Sequence, residues 1–205
     1  MFGTVGPLLQ GVEGKIAPDG EILIRGENVM MGYYQRPDLT EEVIKDGWLH
    51  TGDIGHFIEG KFLKITDRKK EIFKTSGGKY VAPQPVENKM VESRYIEQIM
   101  LVGAGEKFVS ALIVPSFTAI KEWFETGQKP YPGNEAVIEN DEAKALIRSA
   151  IDHYNRLFSP TEQVKKFELL PQEWTIESGE LTPTLKLKRK AILEKNAALI
   201  EKMYR

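Results

Sequence analysis

Three segments of the chain concentrate residues that could do chemistry. The first is GWLHTGD, residues 47–53. A carboxylate directly after Thr-Gly can be held rigidly at a tight turn, ready to accept hydrogen bonds from a sugar diol. The bland alternative is a simple turn, which is how most such tripeptides behave. The second is DRKKE, residues 67–71, followed by KTSGGK, residues 74–79. Arginine offers a planar fork of donors for phosphate or ribose oxygens, and paired glycines let a backbone approach a ligand closely. A solvated charge run ahead of a flexible loop competes with that reading, and in isolation it is the stronger. The third is GELTPTLKLKR, residues 179–189. A lysine on a loop leading into a helix can reach an anion as a mobile point charge. An ordinary basic helix start is the alternative, but a cation there opposes the helix dipole, which argues for another role.

Other chemistries find little support. His50, His56 and His153 are scattered without metal-ligand spacing, so no metal site is expected among these residues. The chain has no cysteine, which removes a disulfide scaffold, a thiolate zinc site and a cysteine nucleophile. That usage suits a reducing, cytoplasmic setting. There is no GxxxxGK(S/T) loop, no GxGxxG fingerprint and no GxSxG elbow. A net charge of −2 gives no global pull toward nucleic acid. The opening residues lack the charged and apolar regions of a signal peptide, and they enter a strand-and-turn pattern as if something preceded them.

The elements that must position the three segments fall into two groups. The chain has 205 residues, 41% of them hydrophobic, enough for one large domain or two small ones with real cores. Residues 1–69 read as β-rich. Strands are expected at 12–16 and 21–25 around the turn Asp19-Gly20, and at 54–58 and 62–65 around Glu59-Gly60. Between them a helix should start at Asp38, with Asp38 as cap and Glu41 completing a capping box, and stop at Gly47. This is a small sheet or half a barrel. The cationic run after Asp67 reads as a linker. From residue 70 onward helices and strands mix in a compact α+β unit. A helix is expected after Pro85, with Val86, Met90 and Val91 on one face. Buried strands are expected at 99–102 and 109–114, helices at 117–124 and 143–158, a strand at 164–170 and a terminal helix at 187–203. The apolar members of that last helix are read as Ala191, Leu193, Ala197, Ile200 and Met203.

Taken in order, GEILIRGENVMMGYY, GWLHTGD, ITDRKKEIFKTSGGKYVAP and LTPTLKLKR resemble the adenylate-forming superfamily of acyl-CoA synthetases, luciferases and peptide-synthetase adenylation domains. The resemblance covers nearly the whole chain. Residues 67–71, 77–83 and 181–189 are most similar to long-chain fatty acid–CoA ligases. The resemblance implies that residues 1–69 are the last β-rich piece of a large AMP-binding domain, and that residues 70–205 are a mobile carboxy-terminal lid. It implies that Asp53 binds the ribose hydroxyls of ATP or acyl-AMP and that Arg68 contacts ribose or phosphate. Lys70 matches a hinge, Gly77 and Gly78 match a loop lining the pantetheine path of CoA, and Lys186 matches the catalytic lysine of adenylation. Related motifs often read Ser-Gly-Lys or Thr-Gly-Lys where this chain has Thr184-Leu185-Lys186, and the glycine loop is one residue longer than in luciferases. Both variants resemble the long-chain subgroup.

The family's YTSGTTGxPKG phosphate loop and the Tyr-Gly-x-Thr-Glu motif, whose glutamate holds magnesium, do not occur here. The resemblance therefore implies that magnesium and most of the acyl pocket belong to an upstream domain, without which this chain is inactive. Its expected partners are ATP or AMP, a fatty acid, CoA and that amino-terminal domain. Long-chain substrates also imply peripheral contact with a membrane. Two other readings stay open: a fragment of another adenylating enzyme, such as an aryl-CoA ligase or luciferase-like protein, and a non-catalytic binding module.

Overall fold

Strand-forming residues alternate with tight turns through the first third of the chain, and they fold as an antiparallel sheet. The computed structural model describes residues 1–205 and divides them into two units, Met1–Ile72 and Phe73–Arg205. The first unit contains β1 (Gly6–Pro7), β2 (Val12–Ile16), β3 (Glu21–Gly26), α1 (Pro37–Val43), β4 (Ile44–Lys45), β5 (Trp48–Ile58) and β6 (Phe62–Arg68). The sheet order is β1-β6-β5-β3-β2, with β4 paired to β5, and it does not close into a barrel. Ala17 O accepts from Gly20 N–H and Ala17 N–H donates to Glu21 O, so β2 turns into β3 through the expected Asp19-Gly20 signal. Only Gly20 adopts positive φ there, at 86°.

β5 is the spine of this sheet and runs from Trp48, six residues earlier than expected. It is long because it kinks rather than ends. Pairing with β6 shifts register between Ile54 and Gly55, a bulge that bends the strand. Gly55 must be glycine: an added Cβ would lie 2.3 Å from Lys64 O. The helix near residue 38 also differs from expectation. Pro37 opens it, Arg36 is its cap residue without a side-chain bond, and Asp38 instead pairs with Arg36 at 2.6 Å. Proline suits a first helical position, where its missing N–H costs nothing. Gly47 is not the stop. α1 ends at Val43, and Asp46 (φ 52°) with Gly47 (φ 77°) turns β4 into β5. Two positive φ angles favour a hairpin turn over a helix cap.

The second unit contains β7 (Phe73–Lys74), β8 (Tyr80–Val81), α2 (Pro83–Met90), β9 (Ile96–Val102), β10 (Val109–Pro115), α3 (Phe117–Thr126), α4 (Asn134–Val137), α5 (Asp141–Asn155), β11 (Val164–Leu169), α6 (Arg189–Lys195) and α7 (Ala197–Tyr204). β7 and β8 form a hairpin of their own. β9, β10 and β11 form a second sheet in which β10 is central, antiparallel to β9 and parallel to β11. The crossover from β10 to β11 carries α3, α4 and α5, as a parallel pair requires.

Side-chain alternation explains why both faces of this sheet are covered. Ile99, Leu101, Ala111 and Ile113 join a core with Val86 and Met90 of α2, Ile120 and Phe124 of α3, and Ile147 and Ile151 of α5. Met100, Val102, Leu112 and Val114 join another with Trp174, Leu181, Ile192 of α6 and Met203 of α7. The unit is therefore α+β, as expected. Several element ends move. α2 begins at Pro83 rather than after Pro85, since two prolines fit its first turn, and Val91 falls beyond its end and is exposed. α5 is capped by Asn140, whose side chain accepts from Ala143 N–H. The terminal helix is broken at Asn196, whose amide donates to Ile192 O at 2.9 Å. Local bonding by asparagine competes with helix continuation. Within α6 it is Ile192 that faces inward: it is fully buried while Leu193 is exposed.

Candidate functional site: a pinned carboxylate and a basic hairpin

The Thr-Gly-Asp segment lies in β5 and is held from three directions. Thr51 Oγ1 donates to Ile22 O at 2.8 Å and accepts from Asp53 N–H. Gly52, at φ 72°, donates its N–H to Glu21 Oε1 at 2.9 Å. Gly52 O accepts from Lys69 N–H at 2.8 Å. These bonds fix the backbone that carries Asp53. Arg68 stands opposite it across the β5–β6 ladder, and its Nε donates to Asp53 Oδ1 at 2.8 Å. The structure therefore brings two predicted nucleotide-binding residues together. A carboxylate has about four lone-pair sites. One cation on Oδ1 orients Asp53 and leaves acceptor capacity for a diol.

Glu21 escaped the sequence reading, yet it organises this cluster. It is only 4% exposed. Its Oε2 lies 2.9 Å from His50 Nδ1 and accepts from Lys69 Nζ at 2.8 Å. Lys69 Nζ also reaches Asp19 Oδ2 at 2.7 Å. Burial pushes the Glu21 carboxyl up, but Lys69, His50 and the Gly52 amide outweigh it and hold the carboxyl below its usual value. A carboxyl depressed in the folded state stabilises fully above its unfolded-state pKa, and that support is lost as pH falls through the folded value. The cluster thus weakens in acid and is complete at neutral pH. The only signal in sequence was a carboxylate directly after a turn, at the start of an apolar strand.

Lys70 follows in an exposed turn closed by Glu71 and Ile72 N–H groups on Arg68 O. Gly77 and Gly78 lie in the second unit, at the exposed tip of the β7–β8 hairpin. Gly78 has φ 79°, and its N–H donates to Thr75 O at 2.9 Å. Thr75 and Lys79 close the tip through Thr75 N–H to Lys79 O.

Lys186 does not belong to a helix start. It sits on a small hairpin closed by Thr182 N–H to Lys186 O at 2.8 Å, by a Leu181–Leu187 bridge, and by Lys188 N–H to Glu180 O at 2.7 Å. α6 begins only at Arg189, so the helix-dipole argument does not apply to this lysine. Its side chain is exposed and forms no ion pair. Leu185, beside it, adopts φ 59° and is 69% exposed. That backbone suits glycine, which stands there in related motifs, and an exposed leucine side chain offers little packing to offset the strain. Leu185→Gly should therefore raise the chain's stability by roughly 0.5–1 kcal/mol. Leu185→Val should lower it by a similar amount, because β-branching worsens that backbone conformation. Thermal melts of the two variants check this, and a lower melting temperature for the glycine variant would contradict it.

Comparison with known proteins gives the family. The AMP-binding enzyme C-terminal domain family matches residues 70–205. The chain belongs to the AMP-binding, adenylate-forming enzymes and carries their carboxy-terminal domain. Long-chain-fatty-acid–CoA ligase FadD15 of Mycobacterium tuberculosis is 40% identical over 99% of this chain and 34% of its own length. Long chain acyl-CoA synthetase 2 of Arabidopsis thaliana is 34% identical over all of this chain and 33% of its own length. The chain thus spans about a third of the length of these curated relatives. Among solved structures, the adenylation domain of a carboxylate reductase from Mycobacterium chelonae shares the fold, with TM-score 0.79 at 24% identity, over 98% of this chain and 31% of that one. O-succinylbenzoate coenzyme A synthetase from Bacillus subtilis, in complex with AMP, has TM-score 0.67 at 24% identity over 93% of this chain and 35% of that one.

Proposed function

We propose that the chain is the carboxy-terminal part of a long-chain fatty acid–CoA ligase, an acid–thiol ligase that first adenylates a fatty acid with ATP and then passes the acyl group to CoA. The carrying observation is Lys186, an exposed and unpaired cation on a pinned hairpin within an AMP-binding enzyme domain. On this reading the carboxylate substrate attacks the α-phosphate of ATP and pyrophosphate leaves. Lys186 stabilises the negative charge that develops on the phosphoryl oxygens, without transferring a proton. Asp53 accepts from the ribose hydroxyls, and Arg68 orients Asp53 while reaching ribose or phosphate. Lys70 is the hinge between a first domain ending near 69 and a lid of 70–205. After the hinge turns, Gly77 and Gly78 line the path of CoA, whose thiol displaces AMP from the acyl-adenylate.

No group of three or more His, Asp or Glu side chains in the structure is arranged to hold a metal ion. Magnesium belongs, on this reading, to the upstream domain that also supplies the acyl pocket. Phe2, Leu9, Met31 and Tyr34 of the first unit are strongly exposed, and on this reading the upstream domain would cover them. No helix is long and apolar enough to cross a membrane. We place the protein in the cytoplasm, touching membranes only peripherally to collect its substrate.

Acid-dependent ATP–pyrophosphate exchange tests the proposal. The chain alone should be silent, and the protein including its upstream domain should exchange with long-chain fatty acids. Exchange by the isolated chain, or by the complete protein with aromatic acids only, would overturn it.

A further inference from the structure

The Lys186 hairpin packs only through its base, where Leu181 is buried and Leu187 is partly buried against the same core. Its tip residues 183–186 are all exposed. Beyond its own closing bonds, the chain on either side holds it in place. Upstream, Gln98 of β9 grips the backbone of Trp174 on both sides, donating to Trp174 O at 3.0 Å and accepting from Trp174 N–H at 2.7 Å. Thr175 and Ser178 bond to one another, Leu181 N–H donates to Thr175 O, and Ser178 Oγ donates to Glu180 Oε2. Downstream, α6 is tied at both ends. Its first residue, Arg189, pairs with Glu87 of α2 at 2.5 Å, and Glu87 also accepts from Leu101 N–H at 2.7 Å. Its last residue, Lys195, pairs with Glu180 Oε1 at 2.6 Å and donates to Ser178 O.

Glu180 is the point where the two sides meet. Its carbonyl closes the hairpin through Lys188, while its nearly buried carboxylate, 10% exposed, binds Lys195 and Ser178. One residue thus ties the base of the loop to the far end of the helix that follows it.

We infer that Glu180, through its pair with Lys195, is a positioning residue for adenylation: it holds the hairpin so that the Lys186 ammonium is presented at a fixed place. The inference rests on the reading of Lys186 given above. Misplacing a charged group by about 1 Å can cost on the order of 10²-fold in rate, whereas a loop that serves only folding would affect both half-reactions alike. Glu180 touches no reacting atom on this account; it acts through Lys186.

The experiment uses the complete enzyme. Glu180→Gln keeps the side chain's shape and removes its charge. Acid-dependent ATP–pyrophosphate exchange should fall about tenfold in kcat, with KM for ATP within about twofold and thioester formation from supplied acyl-adenylate also within about twofold. Lys195→Met, altering a half-exposed residue, should reproduce the split even if the glutamine variant folds poorly, and Lys195→Arg should restore exchange. In a Lys186→Ala background, Glu180→Gln should cause no further loss, since two residues acting through one group are not additive. Parallel loss of both half-reactions, unchanged exchange in Glu180→Gln and Lys195→Met, or full additivity with Lys186→Ala would overturn the inference. If Lys186→Ala itself leaves exchange intact, the reading of Lys186 fails and takes the inference with it. If Lys186→Ala cripples exchange while the Glu180 and Lys195 variants do not, the inference alone fails.

Discussion

Lys186→Ala in the complete enzyme is expected to lower acid-dependent ATP–pyrophosphate exchange by about 10²–10³-fold, while thioester formation from supplied acyl-adenylate stays near the parent rate. The size follows from removing one preorganised charge-stabilising group, worth about 3–4 kcal/mol of barrier. The selectivity follows from chemistry. Adenylation builds negative charge on phosphoryl oxygens as a carboxylate approaches, and a fixed ammonium counters both. Thioester formation releases AMP and needs no cation at that point on this reading. Folding gives no competing explanation, because the side chain is exposed and makes no ion pair. Its backbone groups, which close the hairpin, survive the substitution. Separate assays of the two half-reactions check the result, and equal losses in both would count against the role.

Lys70→Pro should have the opposite signature. Thioester formation is expected to fall on the order of 10²-fold, with exchange reduced about threefold or less. Proline fixes φ near roughly −65° and so removes the rotation a hinge needs. The position is suited to the test. Lys70 is exposed, and its own N–H donates to no carbonyl in the turn, where Glu71 and Ile72 supply the closing bonds to Arg68 O. The substitution therefore deletes no hydrogen bond, and a structural collapse is not expected. Single-turnover measurement of CoA-dependent acyl-adenylate consumption reads the outcome, and unchanged overall turnover would refute the hinge. Together the two variants separate the lid's two proposed tasks, one delivering a cation and the other moving it away.

The sequence by itself supplied candidate residue types, and the order of the segments, with the resemblance it carries, singled out Asp53, Arg68, Lys70, Gly77, Gly78 and Lys186 for the proposed roles. Gly77-Gly78 keep their expected loop, but Thr-Gly-Asp stands inside β5 rather than at a turn before a strand, and Lys186 stands on a closed hairpin rather than at a helix entry. The α+β character and the fully buried run of β10 were legible because periodicity is local. Element ends were less so. Asp46-Gly47 made a hairpin turn where a helix stop was expected, since glycine serves both and only the partner strand decides. A continuous helix over 187–203 was expected, and Asn196 divided it by bonding its own helix.

Only the tertiary structure decided the supporting carboxylates. Glu21 gathers His50, Gly52 and Lys69 from up to 48 residues away, and Glu87 meets Arg189 at a separation of 102. A charged side chain near an apolar stripe looks like noise until its partner is known, because its burial is tolerable only once a distant cation and amide arrive to satisfy it. Local sequence fixes which groups can react; long-range pairing fixes where they are held, since each such bond requires the chain to close a loop that no neighbouring residue encodes.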